Sequence, residues 1–183
     1  MTKNNAKLTL NLIPATSWWK STRSKIKKRE WDIIRKKVYE QANYTCEICG
    51  VNEQSYLGIK KGWLHCNEVW QYEKNKQILA ELEAICRLCH LSQHMGFASI
   101  IGRDREAKKH LKKVNNWSEE QAVIYIQEKF QEWEKRNKIE WILDISFLDK
   151  YLKQEIKEDK SSKDSQTTKQ KIAKKWEKTR IES

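Results

Sequence analysis

The sequence has little that would place it in a membrane or outside the cell. None of the apolar runs in its 183 residues approaches the roughly 20 residues that a membrane-spanning helix needs. An apolar stretch near the start, residues 8–13, is interrupted by Thr9 and Asn11 and is too short and too polar for a typical signal peptide. Pro14 is the one proline, and the sequence contains no internal repeat. We therefore expect a cytoplasmic protein that does not contact a membrane.

Positive charge is concentrated in the two flanks of the chain. The formal net charge is +12, with eleven Lys/Arg and three Asp/Glu in residues 1–40 and ten and six in residues 152–183. The stretch between them has no net charge. Basic flanks attract phosphate groups with little sequence preference, which favours a nucleic-acid partner. The alternative is that lysine-rich ends only keep the chain soluble.

Tryptophan is abundant, with nine in the chain, and several lie near basic residues. Aromatic side chains in such surroundings can stack on nucleobases. They more often pack in a core or at its rim. The pair Trp18-Trp19 is the best candidate for stacking.

Hydrophobic periodicity predicts an α+β fold in four parts. These are a flexible basic N-terminal segment over residues 1–22, a main domain over 23–100, a helical extension over 101–150 and a disordered or loosely helical basic tail over 151–183. Helices are predicted over 23–42, from Cys89 to Ile100, over 103–114 and from Ser118, where Ser118 and Gln121 form a capping box. The last helix has an apolar stripe at Val123, Ile126, Phe130 and Trp133. Strands are predicted over 62–72 and 77–85, with a strand or packed extension over 140–147.

Four of the five cysteines form two identical pairs, Cys46-x-x-Cys49 and Cys86-x-x-Cys89. In a reducing compartment such pairs are more often metal ligands than disulfides. Zinc prefers four soft ligands in a tetrahedron, and two such pairs supply them. The sequence therefore predicts one structural zinc ion, with Gly50 making the tight turn after the first pair. Unrelated cysteine pairs and a redox motif are the alternatives.

Three of the four histidines belong to the same neighbourhood. His65 lies on the first predicted strand, and His90 and His94 follow the last cysteine. A separation of four residues puts His90 and His94 on one helix face, where they could hold a divalent cation. The alternative is that both are surface polar residues. His110 lies outside the pattern, and we expect it to be exposed.

The order of these motifs resembles the HNH (His-Me finger) endonucleases of the zinc-knuckle type over about residues 28–98. The resemblance is carried by Cys46-x-x-Cys49, Leu64-His65-Cys66-Asn67-Glu68-Val69-Trp70, Ile85-Cys86-Arg87-Leu88-Cys89-His90 and His94. It implies a zinc-stabilised ββα-metal finger with flanking helices. It also implies that a hairpin histidine activates water against a phosphodiester of DNA. A Mg²⁺ or similar cation, held partly by the helix histidines, would stabilise the leaving oxygen.

The sequence departs from that family at Asn67, where its most similar members carry histidine before glutamate. An asparagine amide cannot accept a proton at neutral pH. His65 lies two residues earlier on the same strand face and could replace the base or bind the metal. Glu68 could bind metal or flank it, and Cys66 is expected to be a buried free thiol.

Three functions are therefore open. The favoured one is an HNH-type endonuclease that acts on DNA through His65, Asn67, Glu68, His90 and His94. A second is a catalytically degenerate protein on the same scaffold that binds nucleic acid or joins a nuclease complex without cleavage. A third is a zinc-stabilised regulator that recognises DNA through residues 119–136, whose mixed charge gives little support to this role.

Overall fold

A three-stranded sheet and five helices make up the part of the chain that the computed structural model describes, which is residues 6–18, 22–52 and 63–151. The α+β class is therefore confirmed. The chain divides into two compact units, Met1–Phe147 and Leu148–Ser183. All the helices and strands discussed below lie in the first unit. The predictions made for Trp19, for residue 62 and for residues 152–183 lie outside the described residues. Within them, no helix is both long enough and apolar enough to cross a bilayer.

A long antiparallel hairpin forms the centre of this unit. β1 (Leu64–Glu73) pairs with β2 (Lys76–Cys86), and the register puts His65 opposite Ile85 and Asn67 opposite Glu83. Lys74 adopts a left-handed conformation, φ 54°, in the two-residue turn. The strand prediction over 77–85 is confirmed although this segment contains good helix formers, because cross-strand burial outweighs local propensity.

The sheet is extended by one short strand. β3 (Ile142–Asp144) pairs in parallel with the start of β2, which gives the order β1-β2-β3 and leaves β1 at an edge. The predicted strand over 140–147 is therefore shorter than expected. A bulge between Val69 and Trp70 shifts the register along the edge strand.

The helices follow the predicted order with two changes of boundary. The helix predicted over 23–42 begins only at Lys28, and the one predicted from Cys89 to Ile100 is broken at His94, whose ψ is 51°. The capping box at Ser118 is confirmed, since Gln121 N donates to Ser118 Oγ and Ser118 N donates to Gln121 Oε1. The helices are α1 (Lys28–Gln41), α2 (Arg87–Gln93), α3 (Met95–Ile100), α4 (Asp104–Asn115) and α5 (Glu119–Arg136).

The N-terminal segment packs against the last helix. Leu8, Leu10 and Leu12 are buried, although this segment was expected to be flexible. Leu10 N donates to the Tyr125 hydroxyl oxygen at 3.1 Å, which fixes the segment along α5.

The buried face of α5 differs from the predicted stripe. Its buried residues are Ala122 and Tyr125, whereas Val123, Ile126, Phe130 and Trp133 are only half-buried. The stripe was therefore placed about one position too far along the helix. The displacement follows from the packing partner, an extended segment more than a hundred residues away in sequence.

Candidate metal centre and histidine cleft

The four cysteines come together where the hairpin meets α1 and α2. One sulfur atom from each of Cys46, Cys49, Cys86 and Cys89 lies within 4.8 Å of the others. Cys46 Sγ is 3.8 Å from Cys89 Sγ, and Cys49 Sγ is 3.7 Å from Cys86 Sγ. The cluster can therefore hold one metal ion. Within the described ranges, no other group of three or more His, Cys, Asp or Glu side chains is this compact.

Each cysteine pair forms the tight turn that a metal-binding knuckle requires. Cys49 N and Cys89 N each lie 3.5 Å from the sulfur of the first cysteine in their pair. Gly50 closes the first turn with a φ of 73°, as its sequence position predicted. Backbone amides directed at sulfur favour the thiolate form. The pKa of Cys49 is lowered by hydrogen bonds from Cys46 first and then from the other two thiols.

His110 touches this cluster, which the sequence did not indicate. Its Nε2 lies 3.2 Å from Cys89 Sγ, and its side chain is half-buried rather than exposed. The expectation for His110 is therefore wrong. The contact spans 21 residues and joins α4 to α2. A lone histidine at that distance carries no spacing signal, so no local pattern could have found it.

The three histidines singled out from the sequence lie in a row beside the cysteine cluster. The rings of His65 and His90 are stacked, with centroids 4.5 Å apart and planes 13° from parallel. The rings of His90 and His94 meet edge to face at 4.6 Å. The structure therefore brings the hairpin histidine and both helix histidines together.

All three imidazoles are held in the neutral form. Burial lowers the pKa of His65, and the positive charges of Arg87 and Arg23 lower it further. The pKa of His90 falls to about 3 through burial and the neighbouring His94 and His65. Burial also lowers the pKa of His94. A neutral imidazole has a free lone pair, so these groups can bind a cation, whereas their lowered pKa values make them weak proton acceptors.

A cleft of about 280 Å³ opens beside His90 and His94. We call it the histidine cleft, and it is lined by Ile13, Ser17, Trp18, Glu68, Trp70, Gln77, His90, His94 and Phe97. Glu68 is one of the lining residues, and burial raises the pKa of its carboxyl group against the lowering effect of Thr22 and Arg23. The strand at Glu68 is fixed by Asn11, whose Nδ2 donates to the Glu68 carbonyl oxygen at 2.7 Å.

Asn67 and Cys66 lie outside the cleft lining. Asn67 is 2% exposed, and its Nδ2 lies 3.4 Å from Glu83 Oε2 on the paired strand. Cys66 is buried as predicted, and burial raises the pKa of its thiol to about 12. Of the five candidate catalytic residues, the cleft therefore contains Glu68, His90 and His94, with His65 stacked on His90.

Comparison with protein-family models, curated proteins and solved structures found no match to this chain.

Proposed function

We propose that this protein is an HNH-type endonuclease that hydrolyses phosphodiester bonds of DNA with a divalent cation. The observation that carries the proposal is the ring contact of His65, His90 and His94 where the hairpin meets the helix, beside a cleft that contains Glu68. That order of hairpin and helix is the one expected for a ββα-metal finger. The net charge of +12 is consistent with a DNA substrate.

The cysteine cluster fits zinc as its metal. In a zinc tetrahedron with Zn–S bonds of about 2.3 Å, neighbouring sulfur atoms lie about 3.8 Å apart. The two sulfur–sulfur distances of 3.8 and 3.7 Å agree with this value. Because four thiolates fill the coordination shell, zinc here would be structural rather than catalytic.

The histidine cleft fits a second, catalytic cation with open positions. His90 and His94 are neutral and adjacent, and two protein ligands leave room for water and a phosphate oxygen. A divalent cation held there would neutralise the charge that develops on the phosphate.

Glu68 is the proton acceptor that the cleft supports best. Glu68 lines the cleft, and a raised pKa makes a carboxylate a better base near neutral pH. Glu68 takes a proton from the attacking water, the water oxygen bonds to phosphorus, and the bond from phosphorus to the leaving sugar oxygen breaks. That oxygen then gains a proton from solvent. His65 remains the alternative base, because its imidazole is neutral and stacks on His90, although its lowered pKa makes it a weaker proton acceptor.

A plasmid-nicking assay with Mg²⁺, Mn²⁺ or Ni²⁺ tests the proposal. We expect nicked product from the wild type, and a loss of about 100-fold or more in Glu68→Gln and His90→Ala. Glu81→Gln is the matched control, since Glu81 is an exposed carboxylate on the same hairpin. Absence of cleavage of both supercoiled plasmid and single-stranded DNA by folded, zinc-loaded protein with every metal would refute the nuclease proposal.

A second candidate function rests on Asn67. This side chain is buried against Glu83 where the resembling family has histidine, so a binding protein that no longer cleaves is the competing proposal. Such a protein would bind DNA with a steep dependence on salt and give no product. An Asn67→His variant separates the two: gained activity would mean that the wild-type site lacks its base, and equal activity would point to Glu68 or His65.

A further inference from the structure

Gln77 is a buried amide whose oxygen has no donor in the described structure. The residue is only 1% exposed, and it lines the histidine cleft. No group among the described residues donates a hydrogen bond to Gln77 Oε1. A buried acceptor without a partner costs free energy, so its retention needs an explanation. A ligand in the cleft that carries a hydrogen-bond donor would provide one.

The other walls of the cleft are aromatic. Trp18 and Phe97 are 50% and 47% exposed, and Trp70 is buried. Rings of this kind pack against flat, apolar surfaces, and nucleobases are such surfaces. A donor acceptable to Gln77 is present on adenine, guanine and cytosine as an amino group and on thymine as a ring N–H.

The cleft is also open to a ring from one side. An apolar groove of about 540 Å³ adjoins it and shares Trp18, His94 and Phe97 with it. The groove and the cleft therefore share an aromatic wall along which a flat ring can approach the cleft.

We propose that the histidine cleft binds an unstacked nucleobase, with Trp18 and Phe97 packed against the base and Gln77 Oε1 accepting a hydrogen bond from it. The inference rests on the proposed nuclease function and narrows its substrate. A base can enter the cleft only after it leaves the stack of a duplex. The substrate class is therefore DNA that is single-stranded or carries an unpaired base next to the phosphate that is cleaved.

Binding without cleavage tests the inference. The full zinc-loaded chain, with no other divalent cation added, is titrated against fluorescein-labelled single strands of about 12 nucleotides, and anisotropy gives the affinity. The probes are an intact strand, the same strand with central abasic sites, and a blunt duplex. We expect the wild type to bind the intact strand about tenfold tighter than the abasic strand, and also tighter than the duplex.

Single substitutions test whether the cleft causes the preference for the intact strand. Gln77→Leu and Trp18→Ala should each lower the preference for the intact strand, so that the ratio of its affinity to that of the abasic strand falls toward one. Gln77→Leu should also keep or raise the Tm, because it removes an unpaired buried oxygen, whereas a residue with a purely structural role would lower it. Gln71→Leu is the matched control, because Gln71 is an exposed glutamine on the same hairpin.

Two results would overturn the inference: equal wild-type affinity for intact and abasic strands, or a ratio that both Gln77→Leu and Trp18→Ala leave unchanged. Trp18→Ala keeps the test decisive if Gln77→Leu fails to fold, since Trp18 is half exposed. Failure of the nuclease proposal looks different. In that case the wild type still binds the intact strand tighter than the abasic strand, and no metal gives product from plasmid or from single-stranded DNA.

Discussion

His110 contacts the cysteine cluster without being one of its four thiols. Its Nε2 is 3.2 Å from Cys89 Sγ, a distance at which an N–H donates to a thiolate. Such a bond spreads the negative charge of the sulfur and holds the ligand in place. His110 also ties α4 to the cluster, so it connects the helical extension to α2.

Removing this contact should weaken metal retention. We expect His110→Ala to release zinc about tenfold faster than the wild type to a chromogenic chelator. His110→Gln, whose amide can still donate to sulfur, should recover part of the difference. Lys109→Ala is the control, because Lys109 is an exposed neighbour on the same helix. Equal release rates for His110→Ala and wild type would show that the contact has no effect on the metal.

Cys66 is the thiol that should not react. Burial raises its pKa to about 12, so at pH 8 the thiol is almost entirely protonated and is a poor nucleophile. We expect iodoacetamide to leave Cys66 unmodified in the folded protein at pH 8 and to modify it fully in guanidinium chloride, as read by peptide mass spectrometry. Rapid modification of Cys66 under native conditions would contradict the buried placement.

At the scale of elements, the turn after Cys49 depends on one glycine. Gly50 has a φ of 73°, and a Cβ built there would meet nothing within 4 Å. Replacing Gly50 would therefore destabilise the fold through backbone strain and not through a steric clash, since a left-handed conformation costs an ordinary residue about 1–2 kcal/mol.

A pair of glycine substitutions isolates this backbone effect. We expect Gly50→Ala to lower the free energy of unfolding by about 1 kcal/mol in urea titrations. Gly96→Ala should instead be neutral or stabilising, because Gly96 lies in α3 and its added Cβ would make an ordinary 4.0 Å contact with Leu12. If both variants lost the same stability, the left-handed turn would not be the cause.

Elements whose signals are local were predictable from the sequence. The cap of α5 was found because Ser118 and Gln121 are three residues apart and satisfy each other. The buried face of that helix was misplaced because its partner, Leu10, lies more than a hundred residues away. The break at His94 was also missed. There the backbone leaves helical geometry between α2 and α3, which the sequence pattern predicted as one helix.

At the scale of the whole molecule, the candidate site was predictable only in part. The cysteine pairs and the pair His90 and His94 have short, recognisable spacings, and the structure brings the cysteines together and adds His65 to the two helix histidines. Gln77 and Trp18 have no such spacing, and they reach the histidine cleft only through the hairpin register and the path of the N-terminal segment. Tertiary packing, which a single sequence does not reveal, therefore decides what surrounds the histidines.

The cysteine cluster joins parts of the molecule that are far apart in the sequence. Cys46 and Cys49 follow α1, Cys86 ends β2, and Cys89 lies in α2. Zinc binding contributes about 10 kcal/mol or more in small zinc-dependent domains, which is comparable to the whole stability of a typical domain. The fold around the histidines should therefore depend on the metal.

Removal of the metal should unfold this region. We expect a zinc-selective chelator to abolish the cooperative thermal transition seen by near-UV circular dichroism, and added Zn²⁺ to restore it. Cys66→Ala should respond as the wild type does, because Cys66 lies outside the cluster, whereas Cys89→Ser should lose the transition without chelator. A metal-free sample, verified by elemental analysis, that kept the wild-type transition would show that the four thiols hold no structural ion. The histidine cleft would then owe its geometry to the hairpin and its helices alone.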